Sequence, residues 1–594
     1  PTATAAPQAA ATTAPAAATV APPTVPQPQV ASIPRTETLI VSVSDSVNQM
    51  DDAVIANPFL IGAQRTGWQF AFEAPYYYNE WWTDQVSAPP GMTGKNGEIP
   101  YLATDYQYND SYDELTIKFR PDVTWSDGQP FTANDAVFTV NMLKDNSPKL
   151  NFSFEMKEWV KDIAALDDHT LKITLSSANP RFMFTYFQWY LDHGFPFVPE
   201  HIFKGQDPQT FTNFDLAKGW PITTGPWKLI YSSPQQKIWE RRDDWWGAKT
   251  GFHPLPKMKR VIVLPRFEDS KLAQLLIANQ TEATHQLQPA DAQAVMAQNP
   301  KVIVRTLDKS HPWGWIASWP EYVGFNCSKA PYDDPDIRWA INHAFDRKQI
   351  VDIGFQGDGA IAIIPLETNA ALKPYYDAVS DILQKYPIDD YDPKKTAQIM
   401  QSKGYAKDQG GFWAKGGKRF PLLVVTPAGF FDNYVPIVVA QLRKAGFDAA
   451  FKSPSDEATI QQLGTEDAFM NGVQGSVRDP YISMEQFGSW NSLPTGQPAQ
   501  QPFRWTNATY DKAIKGMAVL PASDSKFMPL YRQAMEQWIP ALPQIPLVQD
   551  FTIVPVNTTY WTGWPDSKNP YTMPAFWLRG SATLLINTLQ PAQG

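Results

Sequence analysis

The sequence is poor in the residues and patterns that mark several common protein classes. Only one of its 594 residues is a cysteine, Cys327, so neither an intramolecular disulfide nor a cysteine-based zinc cluster can form. Its seven histidines are scattered, and no two have the spacing that places two metal ligands on one face. Apolar runs such as Pro421–Val425 are far shorter than the ~20 residues that cross a bilayer. We therefore expect no metal, no cofactor and no membrane span.

The net charge and the length of the chain further limit the classes of protein to which it can belong. Fifty Lys and Arg residues against sixty Asp and Glu residues give a net charge of −10, which does not favour a nucleic-acid partner. At ~100–200 residues per domain, the chain should form two to four structural units. Tryptophan (22 residues) is nearly as frequent as tyrosine (23 residues), and this abundance calls for a reason.

The first 34 residues differ from the rest of the chain. They include eight prolines and no charged, aromatic or glycine residue. Such a segment cannot bury enough apolar surface to order itself, and it tends to polyproline II. We expect residues 1–37 to form a disordered tether that holds the folded part away from a surface. The alternative is a disordered tail that has no such role. No signal-peptide pattern opens the chain, so we expect that one has been removed.

Strand patterns dominate the early part of the folded region. Leu39–Val43 is rich in β-branched and apolar residues. Glu114–Arg120 and Thr170–Leu175 alternate polar and apolar residues, as half-buried strands do. Between these two, Thr132 is placed to cap a helix.

The later part indicates a parallel sheet. A strand over Phe420–Val425, a helix over 433–444 that stops at Gly446, and a strand over Phe447–Phe451 form a β-α-β unit. A crossover of this kind implies parallel strands covered by helices. The predicted fold class is therefore α/β, with added antiparallel hairpins.

Helix starts are marked by capping residues. Ser270 is predicted to cap a helix that follows an apolar strand over Arg260–Leu264. Asp334-Pro335 and Asp392-Pro393 each place a capping aspartate before a proline in the first turn. The first of these predicts one helix over Asp336–Ile350.

Signatures of common enzymes are missing from the sequence. G-x-S-x-G, H-E-x-x-H and D-x-[DN]-x-[DN]-G do not occur. A G-x-G-x-x-A match begins at Gly357 but follows a helix, which does not favour a dinucleotide site. Gly416-Gly417-Lys418 is better interpreted as a hairpin turn than as a phosphate loop. Sixty acidic residues always supply pairs, so a glycoside hydrolase stays open as an alternative.

Four blocks in one order carry a family resemblance. The first, Phe119–Asp135, combines Arg-Pro, an Asp-Gly turn and Pro-Phe-Thr-Ala-Asn-Asp. The others are Pro221–Leu229, with Thr-Gly-Pro-Trp, then Phe325–Arg347, and last Arg504–Asp511. Together they resemble the bacterial extracellular solute-binding proteins of ABC importers, in the peptide/nickel/oligosaccharide family (family 5). The resemblance covers nearly the whole folded chain.

The resemblance implies a two-lobed α/β clamshell of the periplasmic-binding-protein type (large cluster C) with an extra subdomain. The first lobe would comprise residues 38–312 and 540–594, with the subdomain at about 75–220, and the second lobe residues 313–539. The chain would cross between lobes near 310–322 and 530–548 and close about these segments. It further implies a non-enzymatic, monomeric, extracytoplasmic receptor that serves ABC permease subunits. A lipid anchor would sit on a cysteine preceding residue 1.

The solute is predicted to be an oligosaccharide of the cello, manno or xylo type. Indole rings suit the flat C–H faces of sugars, and Tyr560–Tyr571 and Pro574–Trp577 resemble the C-terminal block of oligosaccharide-binding members. An oligopeptide is the main alternative. Peptide-binding members anchor the ligand's amino terminus on an aspartate, for which Asp479 is placed, but Ser476 stands where they have a tryptophan. A nickel complex would require clustered histidines.

Candidate ligand-binding residues follow from the rule that open α/β sheets bind ligands beyond the carboxyl ends of their strands. We expect aromatic rings to stack on the solute and polar groups to address its hydroxyls. No catalytic residue and no metal ligand is expected. The candidates are Trp68, Trp189, Phe430, Phe431, Asn433, Arg478, Asp479, Trp490 and Trp564.

Overall fold

The computed structural model describes residues 31–61, 63, 67–306, 314–427, 431–473 and 475–593. A seven-stranded sheet forms what we call the first lobe. Its strands come from both the early and the late parts of the chain. Its strands, in spatial order, are Val302–Ile303, Val556–Asn557, Ala283–Thr284, Thr38–Val47, Arg260–Arg266, Gln236–Arg241 and Trp227–Ser233.

A six-stranded sheet forms what we call the second lobe. Its strands, in spatial order, are Gly359–Ile361, Gln544–Thr552, Trp315–Phe325, Ala468–Gly472, Pro421–Val425 and Asp448–Lys452. The last two run parallel and are joined by the helix Val435–Ala445, which ends at Gly446 in a left-handed conformation (φ +104°). The predicted β-α-β unit is thus confirmed.

Two connections join the sheets. The chain leaves the first lobe after Val302–Ile303 to enter Trp315–Phe325, and it returns between Gln544–Thr552 and Val556–Asn557. The two long strands pair antiparallel, with Trp315 opposite Thr552. The chain re-enters the first lobe after the strand Gln544–Thr552, which still belongs to the second lobe. This point is later than the predicted boundary at residue 540.

A subdomain lies between the first strands of the first lobe. It contains a four-stranded antiparallel sheet and a three-stranded sheet, both packed on one aromatic-rich core. The predicted strands appear at Glu114–Phe119 and Thr170–Leu175, and Thr132 caps the helix Ala133–Asp145 in a capping box with Asp135. The other strands of these sheets are Ala103–Tyr108, Val160–Asp167, Glu98–Pro100, Tyr76–Tyr78 and Gln188–Trp189.

The remaining helices and small sheets cover these layers. Within the described ranges, no helix is both long and apolar enough to cross a bilayer. The further helices of eight or more residues are Asp269–Ile277, Pro289–Gln298, Pro335–Asn342, Arg347–Gly354, Pro393–Ser402, Ala508–Ala518, Phe527–Ala541 and Arg579–Thr588. Shorter helices are Trp68–Ala71, Ser153–Trp159, Glu200–Phe203, Trp246–Lys249, Lys373–Asp377, Ser380–Lys385, Glu457–Leu463 and Tyr481–Glu485. The small strands are Ala406–Lys407, Trp413–Lys415, Lys418–Arg419, Trp561–Thr562 and Gln590–Pro591.

Two helix predictions are wrong in detail. The segment Asp336–Ile350 holds two helices, because the Asp346 side chain accepts a hydrogen bond from the Gln349 amide at 3.0 Å and starts a second one. Ser270 lies inside its helix, which begins at Asp269 without a side-chain cap.

The predicted tether ends before residue 37. Arg35–Glu37 forms a 3₁₀ turn, and Arg35 pairs with the carboxylate of Glu282 on the first lobe. The Arg35 guanidinium also lies 4.3 Å from the centre of the Tyr560 ring. Arg35 is therefore held against the first lobe by its ion pair with the buried Glu282 carboxylate. Residues 1–30 lie outside the described residues.

Candidate functional site

The carboxyl ends of the parallel strands of both lobes border one groove. In the first lobe, Thr38–Val47 pairs in parallel with Arg260–Arg266 and with Ala283–Thr284. In the second lobe, Pro421–Val425 pairs in parallel with two neighbours. The segments that follow these strands line a common cavity, and we call the space between the lobes the interlobe groove. This is where α/β sheets of this kind bind ligands.

One end of the interlobe groove is acidic. A cavity of about 680 Å³ lies between Gln286–Pro289 of the first lobe and Asp432-Asn433 of the second. Asn433 is exposed and donates a hydrogen bond to the Gly354 carbonyl at 3.0 Å. The acidic side chains that line this cavity are Glu321, Asp358, Asp432 and Asp550.

Burial makes two of these acids, Glu321 and Asp550, hard to ionise. It raises the pKa of Asp550 to about 6, and it raises the pKa of Glu321 well above its usual range, with Asp550 adding to the shift. One basic side chain, Arg266, lines the same cavity. When ionised, this end of the groove therefore attracts cationic or hydrogen-bond-donating groups.

Two consecutive residues of the second lobe form ion pairs with the subdomain. Asp479 accepts hydrogen bonds from Arg181 Nε at 3.1 and 2.9 Å, and both side chains are nearly buried. Arg478 donates to Glu98 at 2.7 Å in a more exposed pair. The second lobe supplies the anion of one pair and the cation of the other. The two pairs therefore favour a single alignment of the subdomain on the second lobe.

Asp479 is fully engaged by groups of this chain. Arg181 Nη1 also donates to the Met517 carbonyl at 3.2 Å, and its guanidinium lies 4.5 Å from the centre of the Tyr481 ring. The Tyr481 amide donates to Asp479 Oδ1 at 2.9 Å. In this conformation, a ligand ammonium group would have to displace Arg181 to reach Asp479.

A second pair of acidic residues is buried between the subdomain and the second lobe. Glu80 and Glu367 are only 3% and 2% exposed. Burial raises the pKa of Glu367 to about 8, and burial together with the charges of Glu367 and Asp192 raises the pKa of Glu80 well above its usual range. The sequence analysis missed both residues, because no local pattern marks a glutamate whose neighbour is distant in the chain.

Three indole rings with accessible surface lie on or near the strand Trp315–Phe325, which connects the two lobes. Trp319 is 56% exposed near the start of Trp315–Phe325, beside the carboxyl end of the antiparallel strand Ala468–Gly472. Trp81 and Trp82 are half-buried on the subdomain, and Trp81 packs edge-to-face on Trp315 at 5.4 Å. The adjacent tryptophans after a short strand were a usable sequence signal.

Four predicted aromatic site residues belong to hydrophobic cores instead. Trp68 (3% exposed) and Trp189 (0%) meet edge-to-face at 6.2 Å in the subdomain core. Phe431 (4%) packs edge-to-face on Tyr434, and Trp564 (4%) donates a hydrogen bond to a nearby carbonyl in the first-lobe core. Other core residues cover these four rings, so no ring face is accessible to a sugar.

Trp490 and Phe430 are the remaining predicted aromatic residues. Trp490 is 43% exposed in the 3₁₀ turn Ser489–Asn491, where the Lys515 ammonium lies 5.2 Å from its ring centre. Phe430 lies outside the described residues. Of the nine candidates, the structure places Arg478 and Asp479 at the lobe contact and Asn433 at the groove cavity.

Two α/β lobes that are joined by two connections around a groove define a clamshell solute-binding protein. The family model "Bacterial extracellular solute-binding proteins, family 5 Middle" matches residues 98–493, and the chain belongs to this family. The predicted family and fold class are confirmed. The family consists of substrate-binding components of ABC importers, which are extracytoplasmic transport receptors.

Individual relatives are distant in sequence and close in fold. The nickel-binding periplasmic protein of Escherichia coli K12 is 25% identical over 410 residues, which cover 64% of this chain and 68% of that protein. The periplasmic oligopeptide-binding protein of Thermotoga maritima superposes with a TM-score of 0.77 at 20% identity, covering 94% of this chain and 100% of that one. Its mannohexaose-bound form gives a TM-score of 0.70 at 20% identity, covering 95% and 100%.

Proposed function

We propose that this receptor captures an oligosaccharide in the interlobe groove and delivers it intact to the permease subunits of an ABC importer. The observation that carries the proposal is the exposed indole of Trp319, which lies four positions along the connecting strand from Trp315, the ring on which the half-buried Trp81 packs. Indole rings are large, rigid apolar surfaces that suit the C–H faces of sugar rings. The mannohexaose complex of a protein with the same fold is consistent with this ligand class.

Closure of the lobes supplies the polar part of recognition. The groove offers carboxylates at Glu321, Asp432 and Asp550 that can accept hydrogen bonds from sugar hydroxyls. Such bonds gain strength when the closing lobes exclude water. The ion pairs Arg181–Asp479 and Glu98–Arg478 link the subdomain to the second lobe in the closed state.

An oligopeptide is the second candidate. It is favoured by the position of Asp479 at the lobe contact, where peptide-binding members hold the ligand's amino terminus. Arg181 already occupies this carboxylate, and Ser476 replaces the family's tryptophan. A peptide would therefore have to exchange its ammonium group for the guanidinium of Arg181.

A ligand panel on the full chain separates these classes. Thermal shift and calorimetry should be run with cello-, manno- and xylo-oligosaccharides and with di- to pentapeptides. A bound ligand at ~100 times its Kd adds about 2.7 kcal/mol to stability. We expect stabilisation by one oligosaccharide series, loss of that binding in Trp319→Ala, and retention in the matched surface variant Trp490→Ala. Stabilisation by peptides alone would overturn the proposal.

The panel also tests a secreted carbohydrate hydrolase, the enzymatic alternative. Chromatography after long incubation should recover the oligosaccharide unchanged. Appearance of shorter sugars would refute a receptor that releases its ligand intact.

We also propose a cell-surface location for the receptor. The Pro-, Ala- and Thr-rich residues 1–30 have the composition of a spacer between a lipid anchor and the folded lobes, and the receptor would act as a monomer. Membrane fractionation of cells that produce the receptor tests the anchor. Light scattering tests the oligomeric state.

A further inference from the structure

Glu80 of the subdomain and Glu367 of the second lobe are buried carboxyl groups close enough for their charges to act on each other. The Asn369 amide group that donates to Glu367 also donates to the Val477 carbonyl at 3.0 Å, and Val477 packs with Tyr78, two residues before Glu80. Glu80 follows the subdomain strand Tyr76–Tyr78, and Glu367 belongs to the second lobe, after the strand Gly359–Ile361. Both are more than nine-tenths buried. Glu367 accepts a hydrogen bond from the Asn369 amide group, but neither carboxylate oxygen of Glu80 has a hydrogen-bond partner among the described residues.

The charges around this pair are of one sign. The charged groups that act on Glu80 are Glu367 and Asp192, both acidic. Two arginines of this region have partners elsewhere: Arg478 pairs with Glu98, and Arg579 donates to the carbonyls of Asp192 and Gly194. Burial of two carboxyl groups without a compensating cation is costly, so the site favours either protonation or a positive guest.

We infer that Glu80 and Glu367 form a subsite for one ammonium group of the ligand. An ammonium group has three donors and no acceptor. The two carboxylates supply two acceptors, and the buried Tyr190 hydroxyl, which also has no partner among the described residues, supplies a third beside Glu80. A guest held in this way would bridge the subdomain and the second lobe, so it would favour closure as well as binding.

An ammonium group fits this site better than a metal ion does. Within the part of the chain that the structure describes, no three His, Cys, Asp or Glu side chains come together as metal ligands. An apolar wall of Tyr78, Phe184, Tyr190 and Val477 borders the pair, because Tyr78 precedes Glu80 by two residues and the Asn369 amide group bonds to both Glu367 and Val477. Such a wall lowers the local polarity and strengthens a charge-assisted hydrogen bond.

The subsite is distinct from the peptide anchor that the family resemblance marks. Asp479 is neutralised by Arg181 within the chain, whereas Glu80 is not neutralised by any described residue. The inference rests on the proposed function and narrows it to ligands that carry a primary amine. The amine can come from an amino sugar of the oligosaccharide or from a peptide.

Matched probes and isosteric variants of the full chain test the inference. Calorimetry would compare glucosamine tetramer with cellotetraose, and trialanine with N-acetyl-trialanine. In the wild type we expect the amine-bearing member of the recognised pair to bind at least tenfold more tightly. Glu80→Gln and Glu367→Gln should each remove this preference. Glu200→Gln, on the surface of the subdomain, should preserve the preference.

The outcomes separate this inference from the proposed function. Equal affinity for cellotetraose and glucosamine tetramer, without binding of trialanine, would overturn the subsite while the oligosaccharide receptor stands. Tight binding of trialanine that depends on Glu80 would support the subsite and overturn the sugar ligand. Failure of all four probes counts against both. If circular dichroism shows that Glu80→Gln does not fold, Glu367→Gln decides, and an unchanged amine preference in that variant overturns the subsite.

Discussion

Arg181 and Asp479 are 298 residues apart along the chain, and they form a nearly buried ion pair between the subdomain and the second lobe. The carboxylate that family resemblance marks as a ligand anchor thus holds the lobes together in this conformation. The protein itself supplies the cation that a peptide's amino terminus would otherwise bring. Ligand specificity has to be sought elsewhere in the groove.

Loss of this pair should open the lobes. In Asp479→Asn the Arg181 guanidinium stays buried without a carboxylate, and breaking such a pair costs about 3–5 kcal/mol. We expect a larger radius of gyration by small-angle X-ray scattering in the unliganded protein. Asp381→Asn removes the exposed partner of Arg532 within the second lobe and should leave the radius unchanged. An unchanged radius in both variants would show that this pair does not hold the lobes.

The stability of the unliganded protein should fall between about pH 5 and pH 8. Burial raises the pKa of Glu367 to about 8, so the native state keeps a proton that the unfolded chain loses near its ordinary value of 4.5. The protonated carboxyl group stabilises the fold fully below the unfolded pKa, and this contribution is lost as pH rises through the folded pKa of about 8.

Calorimetric melting at pH 5, 6.5 and 8 checks this linkage. Glu80 is subject to the same effect, with Glu367 and Asp192 as its acidic neighbours. The profiles of Glu80→Gln and Glu367→Gln should therefore be flatter than that of the wild type and should lie above it at pH 8. Parallel profiles would contradict the assignment.

Glu73 should be structurally important in the subdomain core. Its two carboxylate oxygens accept hydrogen bonds from the indoles of Trp245 at 3.0 Å and Trp246 at 2.8 Å. In Glu73→Gln one indole N–H would face an amide N–H, and an unsatisfied buried donor costs about 1–3 kcal/mol. Urea denaturation at pH 8 measures this loss. Glu37→Gln, at a surface ion pair with Lys259, should change the midpoint little; equal midpoints in the two variants would contradict the prediction.

Core and groove tryptophans should respond in opposite ways to truncation. Trp189 is fully buried, so Trp189→Ala leaves a cavity and should lose about 3–5 kcal/mol of unfolding free energy. Trp319 is mostly exposed, so Trp319→Ala should keep the wild-type urea midpoint while ligand affinity falls. A ligand-binding defect in Trp319→Ala that came with a lower midpoint would point to a structural role instead.

Local sequence was sufficient for much of the secondary structure and for the family. Thr132, Asp334 and Asp392 each cap the helix that follows, because a side-chain oxygen reaches its amide within two or three residues. The parallel strands around Val435–Ala445 follow from apolar runs and a terminal glycine. These features depend on neighbours in the chain, so the pattern of residues determines them.

Tertiary structure alone decided which residues meet in the groove. Trp189 and Trp319 are both tryptophans near strands, yet one is buried and the other exposed, because exposure depends on which distant elements cover each ring. Glu80 and Glu367 belong to different strand-loop segments, and both are buried in the tertiary structure. Sequence sets the local conformation, whereas burial and pairing depend on contacts between residues hundreds of positions apart, and these determine the chemistry of the site.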